Sequence, residues 1–198
     1  MRGRPKGDEV RTFAYVLFLI SPVLTNAAGP MLYGGFGLNI GTQSLASPGN
    51  GKSQFASQGY LLEGGLEFKN GFHAGGEFGS INTINTISSK TYMETGAMSF
   101  LSLKTGFNFG KLGIGAGYRH NEVTLKSLST TGSGYLESKY SGDTPFGYIN
   151  CHFDVGKVIR TAVEAQYISG QLKSKDTDLP QVDFNEMSVG LRLFVIFD

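Results

Sequence analysis

Tyr60-Leu61-Leu62-Glu63-Gly64-Gly65-Leu66-Glu67-Phe68 leads into Lys69-Asn70-Gly71 and then Phe72. Tyr60, Leu62, Leu66 and Phe68 fall on one parity, and Glu63, Gly65 and Glu67 on the other. A period of two is the signature of a strand with two different faces. Asn-Gly is the strongest short hairpin signal, because both residues tolerate positive φ. The stretch therefore reads as a strand entering a tight turn. Its apolar face carries no charge, and its other face carries two carboxylates.

The same pattern recurs along the chain. Ile159, Thr161, Val163, Ala165 and Tyr167 oppose Arg160, Ala162, Glu164 and Gln166. Met187, Val189, Leu191, Leu193, Val195 and Phe197 oppose Glu186, Ser188, Gly190, Arg192 and Phe194. Eight such segments are expected, at about 31–41, 57–68, 72–81, 93–109, 112–123, 142–155, 158–170 and 184–197. Three connections are tight, at Lys69-Asn70-Gly71, Gly110-Lys111 and Gly156-Lys157. The other four, at 42–56, 82–92, 124–141 and 171–183, read as long, turn-rich loops. With strands running up and down, all tight turns fall at one end and all long loops at the other. Outer-membrane barrels sort their connections in this way. The fold class expected is all-β: a closed, antiparallel, eight-stranded, up-and-down transmembrane barrel.

The two faces call for opposite solvents. The apolar face includes Leu32, Phe36, Leu38, Ile40, Phe72, Phe78, Leu101, Leu103, Phe107, Phe109, Leu112, Ile114, Ala116, Ile149, Cys151 and Phe153. The other face holds Glu63, Glu67, Glu77, Lys104, Arg119, Asp154, Arg160, Glu164, Glu186 and Arg192. An unpaired charge in a protein interior costs several kcal/mol, so this face is expected to be wet, internally paired, or both. A barrel of eight strands is just wide enough for its own side chains to fill, so these ten charges are expected to form a plug. Phe68, Phe72, Phe107, Phe109 and Phe153 lie by the tight turns, and Tyr60 and Tyr167 eight or nine positions away. Eight tilted residues rise roughly 20 Å, close to the ~25 Å apolar band of such barrels.

Composition agrees. The 198 residues carry a net charge of +1, 17% charged residues, 29 Gly, 15 Phe, no Trp and one Cys. That balance gives no electrostatic footprint for nucleic acid. One Cys builds neither a disulfide framework nor a Cys-rich zinc site. Residues 1–27 read as a signal peptide: Arg2, Arg4, Lys6 and Arg11, the apolar run Phe13–Ile20 extended to Leu24, then Thr25-Asn26-Ala27. The run is about 12 residues, against the roughly 20 of a spanning helix. Cleavage leaves residues 28–198 at a net charge of −1 as the barrel.

The last strand carries the most specific signal. Ser188, Gly190, Leu193, Val195 and Phe197 follow a polar-x-Gly-x-x-apolar-x-apolar-x-aromatic pattern. It resembles the assembly signal of bacterial outer-membrane barrels, with Asp198 after the usual terminal Phe. The chain from about residue 29 onward resembles the small eight-stranded barrels of the OmpA transmembrane domain, OmpX and OmpW type. The resemblance implies an outer-membrane location, contact with outer-membrane lipid or lipopolysaccharide, and the barrel-assembly machinery as partner. It gives no expectation of the OmpA-type periplasmic domain, since the chain stops at Asp198.

No catalytic, cofactor-binding or metal residues are expected. His73-Ala74-Gly75, His120-Asn121-Glu122 and His152-Phe153-Asp154 lack the His-x-Ser that one type of small-barrel lipid A acylase or deacylase uses. The runs Gly34–Gly37 and Gly113–Gly117 alternate with apolar residues inside strands and precede no helix, so they build no phosphate cradle. Function is expected in the four long loops, as envelope integrity or surface contact, with the fifth and sixth segments continuing through Glu122–Lys126 and Tyr135–Tyr140 far enough to offer an edge for strand addition. The rival expectation is a narrow pore for ions or small solutes. A soluble barrel would invert the faces, with apolar residues inside.

Overall fold

The computed structural model describes residues 29–47, 51–85, 95–128, 135–175 and 181–197. They form eight strands: β1 Met31–Ser47, β2 Gly51–Glu67, β3 Phe72–Asn85, β4 Thr95–Phe109, β5 Leu112–Leu128, β6 Tyr135–Val155, β7 Ile159–Ser174 and β8 Val182–Phe197. Each pairs antiparallel with the next, and β8 returns to β1, closing the barrel. Closure removes the edge strands that an open sheet would expose.

The tight turns join β2–β3, β4–β5 and β6–β7. Each places a glycine at positive φ: Gly71 at 88°, Gly110 at 66° and Gly156 at 76°. A residue with a Cβ is strained there, which is why glycine holds these positions. At the opposite end lie the hairpins joining β1–β2, β3–β4, β5–β6 and β7–β8.

Seven of the eight strands run further towards the hairpin end than the sequence pattern implied; β4, Thr95–Phe109, stays within its expected 93–109. Within the segments expected as loops, residues 42–47, 51–56, 82–85, 124–128, 135–141, 171–174 and 182–183 are strand, whereas 48–50, 86–94, 129–134 and 176–180 lie outside the described residues. Thr42 pairs with Ala56, Leu45 with Ser53, and Gly96 with Leu125. The reason is a change of solvent halfway up the wall. Near the tight turns the outward residues are Leu38, Leu62, Phe78, Leu103, Ile114, Ile149, Val163 and Leu191, all exposed. Tyr60, Tyr118 and Tyr167 stand at the upper limit of this band. Above them the outward parity turns polar, at Thr42, Gln58, Asn82, Ser99, Glu122, Asp143, Gln171 and Asp183. The inward parity there becomes apolar. The ladder continues in one register while its polarity inverts, so a search for outward apolar residues ends too early.

Two of the aromatic side chains assigned to the outer face are covered. Phe68 and Phe72 are buried by one another, with ring centroids 5.7 Å apart. Phe72 meets Phe107 at 5.4 Å, and Phe107 stacks on Phe109 at 6.3 Å. Four phenylalanines thus form one continuous patch beside the first two tight turns.

Candidate functional site

The barrel interior is built from the inward parity of all eight strands. It gathers all ten charges singled out by the sequence. Lys104 on β4 sits among three carboxylates: Glu63 at 2.7 Å, Glu77 at 2.9 Å and Glu164 at 3.1 Å. Arg192 on β8 reaches Glu164 at 3.0 Å, Glu63 at 3.7 Å and Glu77 at 4.0 Å. Arg119 on β5 lies 3.3 Å from Glu77 and 3.4 Å from Glu186. These seven side chains form one connected layer, each side chain at most 2% exposed. A second, wetter group stands at the tight-turn mouth, where Arg160 pairs with Glu67 and, at 2.7 Å, with Asp154.

Neutral polar side chains complete the buried layer. Gln166 donates to Glu164 Oε1 at 2.7 Å and accepts from Arg119 at 2.6 Å. Gln43 donates to Glu186 at 2.8 Å, and Ser102 to Glu77 at 3.2 Å. Arg192 donates to Asn39 at 2.5 Å. The guanidinium of Arg119 lies 4.0 Å from the centroid of the Phe100 ring and 5.3 Å from that of Phe146. Buried carboxylates and guanidiniums need such satisfied neighbours to offset their lost hydration. Parity alone places Gln43, Gln166, Ser102 and Asn39 inward. Reading only the charged residues passed over them.

Two tyrosines were also passed over. Tyr33 donates to Glu63 at 3.3 Å, and the Tyr148 hydroxyl lies 2.5 Å from His73 Nε2. Tyr148 has room because Gly115 faces it: a Cβ there would stand 2.3 Å from the hydroxyl. His73 and His152 are both buried and inward, as their parity implied. His120 is on the outer wall instead, 2.7 Å from Asp143.

Above the ion-pair layer the interior turns mainly apolar, with Ser57, Thr83 and Asn121 buried in it as well. Leu45, Phe55, Leu61, Ile81, Met98, Val123, Ile168, Leu172, Val182 and Phe184 belong to one buried cluster with Phe100, Phe146 and Tyr148. The charged plug expected from the ten inward residues therefore has a limited height. The charges occupy the half near the tight turns, and an ordinary apolar core fills the half near the hairpins. The hairpin half has the inverted polarity expected of a soluble barrel, joined to a half with a lipid-type exterior.

The hairpin ends are tied by the ladder itself. Lys126 pairs in register with Glu137, and Tyr140 with Ser174. Of the β5–β6 hairpin expected to offer an edge, β5 is flanked by β4 as far as Lys126 and β6 by β7 only from Tyr140, so residues 135–138 have no ladder partner on the β7 side among the described residues. Outside, Lys175 donates to Glu122 at 2.7 Å, and this bond holds the Glu122 carboxyl below the usual carboxylate range.

Comparison with solved structures matches this architecture to known barrels. Neisserial surface protein A superposes with a TM-score of 0.57 at 13% identity, covering 81% of this chain and 95% of its own. The fold is that of a small bacterial outer-membrane barrel. The attachment invasion locus protein Ail of Yersinia pestis, solved with the heparin analogue sucrose octasulfate, gives 0.52 at 10% identity over 84% of this chain and 99% of its own. Outer membrane protein AlkL, solved in lipid bilayers, gives 0.51 at 13% identity over 87% and 94%. No family model matches the sequence, and no curated protein matches it either. At these identities the likeness is one of fold.

Proposed function

We propose that the chain is an integral outer-membrane protein that presents four hairpins at the cell surface through a barrel closed to solutes. Its role is envelope integrity or surface contact. One observation carries the reading: the interior is stratified. A layer of seven paired charges lies under a layer of packed Leu, Ile, Val, Met and Phe side chains. A permeating ion would have to cross both, and the apolar layer offers it only neutral side chains such as Ser57, Thr83 and Asn121 in place of its hydration shell. The outward apolar band bounded by Tyr60, Tyr118 and Tyr167 supports placement in a bilayer, since lipid-facing walls require a charge-free band with interfacial aromatics.

In this reading residues 1–27 direct export and are removed, and the barrel-assembly machinery engages β8. Leu193, Val195 and Phe197 face outward there, whereas Ser188 and Gly190 face inward. Lipopolysaccharide and phospholipid contact the apolar band. The narrow pore is the second reading, and the ion-pair layer is the observation that favours it, because charges in a lumen are what a conducting path would need.

Surface contact is tested with the full chain on whole cells. Lys126, Lys139 and Lys173 are exposed on the outer wall of the hairpin half, so replacing all three by Ser leaves the interior untouched. Reduced adhesion to sulfated glycan or host-cell surfaces, with unchanged barrel content in the outer-membrane fraction, supports the contact role. Unchanged adhesion with detergent-sensitive cells on deletion of the whole chain supports envelope integrity. Recovery of the chain in the soluble fraction overturns both.

A further inference from the structure

The seven-membered ion-pair layer holds four carboxylates against three bases, and the mouth holds Glu67 and Asp154 against Arg160. Each group is one negative charge in excess. A small chamber of about 40 Å3 lies between them, bordered by the carboxylates Glu63, Glu67 and Glu164, the bases Lys104 and Arg160, and by His73, Asn108 and Asn150. Four atoms of these side chains are buried without a hydrogen-bond partner: Glu63 Oε2, His73 Nδ1, Asn108 Oδ1 and Asn150 Oδ1. A buried polar atom left unpaired costs about 1–3 kcal/mol, so four around one chamber mark a missing partner.

Three of the orphans have one character. Two are amide oxygens and one is a carboxylate oxygen, all acceptors only. The orientation of Asn108 is fixed, because its Nδ2 donates to Glu67 at 3.3 Å and so turns Oδ1 away from that carboxylate. The two amide oxygens converge. Both lie within 2.5 Å of the point where a Cβ on Gly113 would sit, and only a glycine leaves that point free. Arg192 Nε is 3.7 Å from Glu63 Oε2, too long for a hydrogen bond, and is itself unpartnered.

We propose that this chamber is a binding site for one hard cation, held by Asn108 Oδ1 and Asn150 Oδ1 with Glu67 and Glu63 supplying the charge. Amide and carboxylate oxygens suit Na+, K+, Ca2+ or Mg2+ rather than a softer metal. The volume admits an ion with a water or two, since one water needs roughly 10–15 Å3. Access is from the tight-turn mouth, because the apolar layer closes the other side. The site rests on the closed barrel and is independent of what the hairpins contact.

The test uses the full chain folded in zwitterionic detergent, titrated at constant ionic strength with CaCl2, MgCl2, NaCl or KCl against choline chloride. Thermal unfolding is followed by circular dichroism and binding by calorimetry. A saturable rise in Tm with at least one metal salt is expected. Asn150→Leu should abolish it, and Asn150→Asp should tighten binding about tenfold, since affinity in oxygen sites follows ligand charge. Gly113→Ala should also abolish it, with retention of the barrel checked by heat-modifiable gel migration. Because Gly113→Ala can fail to fold, the opposed effects of the two Asn150 variants decide the matter. A Tm that follows pH alone and treats metal salts like choline chloride would overturn the site, as would Asn150→Asp and Asn150→Leu both behaving as wild type. Steady conductance through the barrel would count against the closed-lumen reading without touching this result.

Discussion

Leu103 and Lys104 are adjacent in sequence and face opposite solvents. Leu103 is exposed on the outer band, whereas Lys104 is buried against three carboxylates. Breaking a buried pair by removing one partner typically costs about 3–5 kcal/mol, because the charge left behind is uncompensated. Lys104→Met is expected to lower the unfolding free energy by at least that amount in urea titrations of the micelle-folded barrel. Lys126→Met, on the exposed wall, should change it by only a few tenths of a kcal/mol. Leu103→Arg has no electrostatic partner to lose, yet it should cost about 2–4 kcal/mol when folding is measured into liposomes. In micelles, where the detergent shell deforms around the charge, the cost should be smaller. Equal penalties in the two media would contradict the outward assignment of Leu103.

At the scale of the element, the β1–β2 hairpin separates what the sequence shows from what it hides. Leu32, Phe36, Leu38 and Ile40 announce β1 because they are apolar at period two and outward. Past Ile40 the outward residues are Thr42 and Ser44, and the apolar signal moves to Leu45 and, on β2, Phe55, both inward. The alternation persists with its sign reversed. Together with Ser47-Pro48-Gly49-Asn50-Gly51, which is rich in turn formers, it read as one long loop. The tight turns were legible because Gly71, Gly110 and Gly156 do one local job at positive φ. The hairpin half was not, because its strands are defined by an apolar layer assembled from all eight strands. Phe55 is 1% exposed in that layer. Phe55→Ala should therefore cost about 3–5 kcal/mol, the range for emptying a packed core position. Amides across 42–47 and 51–57 should exchange slowly in wild type and faster in the variant. Fast exchange throughout 42–56 in the wild-type protein would restore the loop.

For the whole molecule, the ten interior charges were readable from parity alone, and their partners were not. Pairings such as Lys104 with Glu164, or Gln43 with Glu186, cross the lumen, and only barrel closure sets which residues share a level. The apolar layer above them was missed for the same reason as the long strands. Its presence bears on conduction. An ion path through the ion-pair layer alone would be polar from end to end. The layer containing Phe55, Ile81, Met98, Ile168, Leu172 and Phe184 interrupts it with side chains at most 1% exposed. Wild-type protein in planar bilayers is accordingly expected to show no steady conductance. Removing a charge, as in Arg119→Ala, should destabilise the barrel without opening it, because the apolar layer stays closed. Removing bulk from that layer as well, with Phe55→Ala and Phe184→Ala combined, should be required before small current steps appear. Steady wild-type conductance, or current from Arg119→Ala alone, would show that the apolar layer is no barrier and would transfer the function to transport.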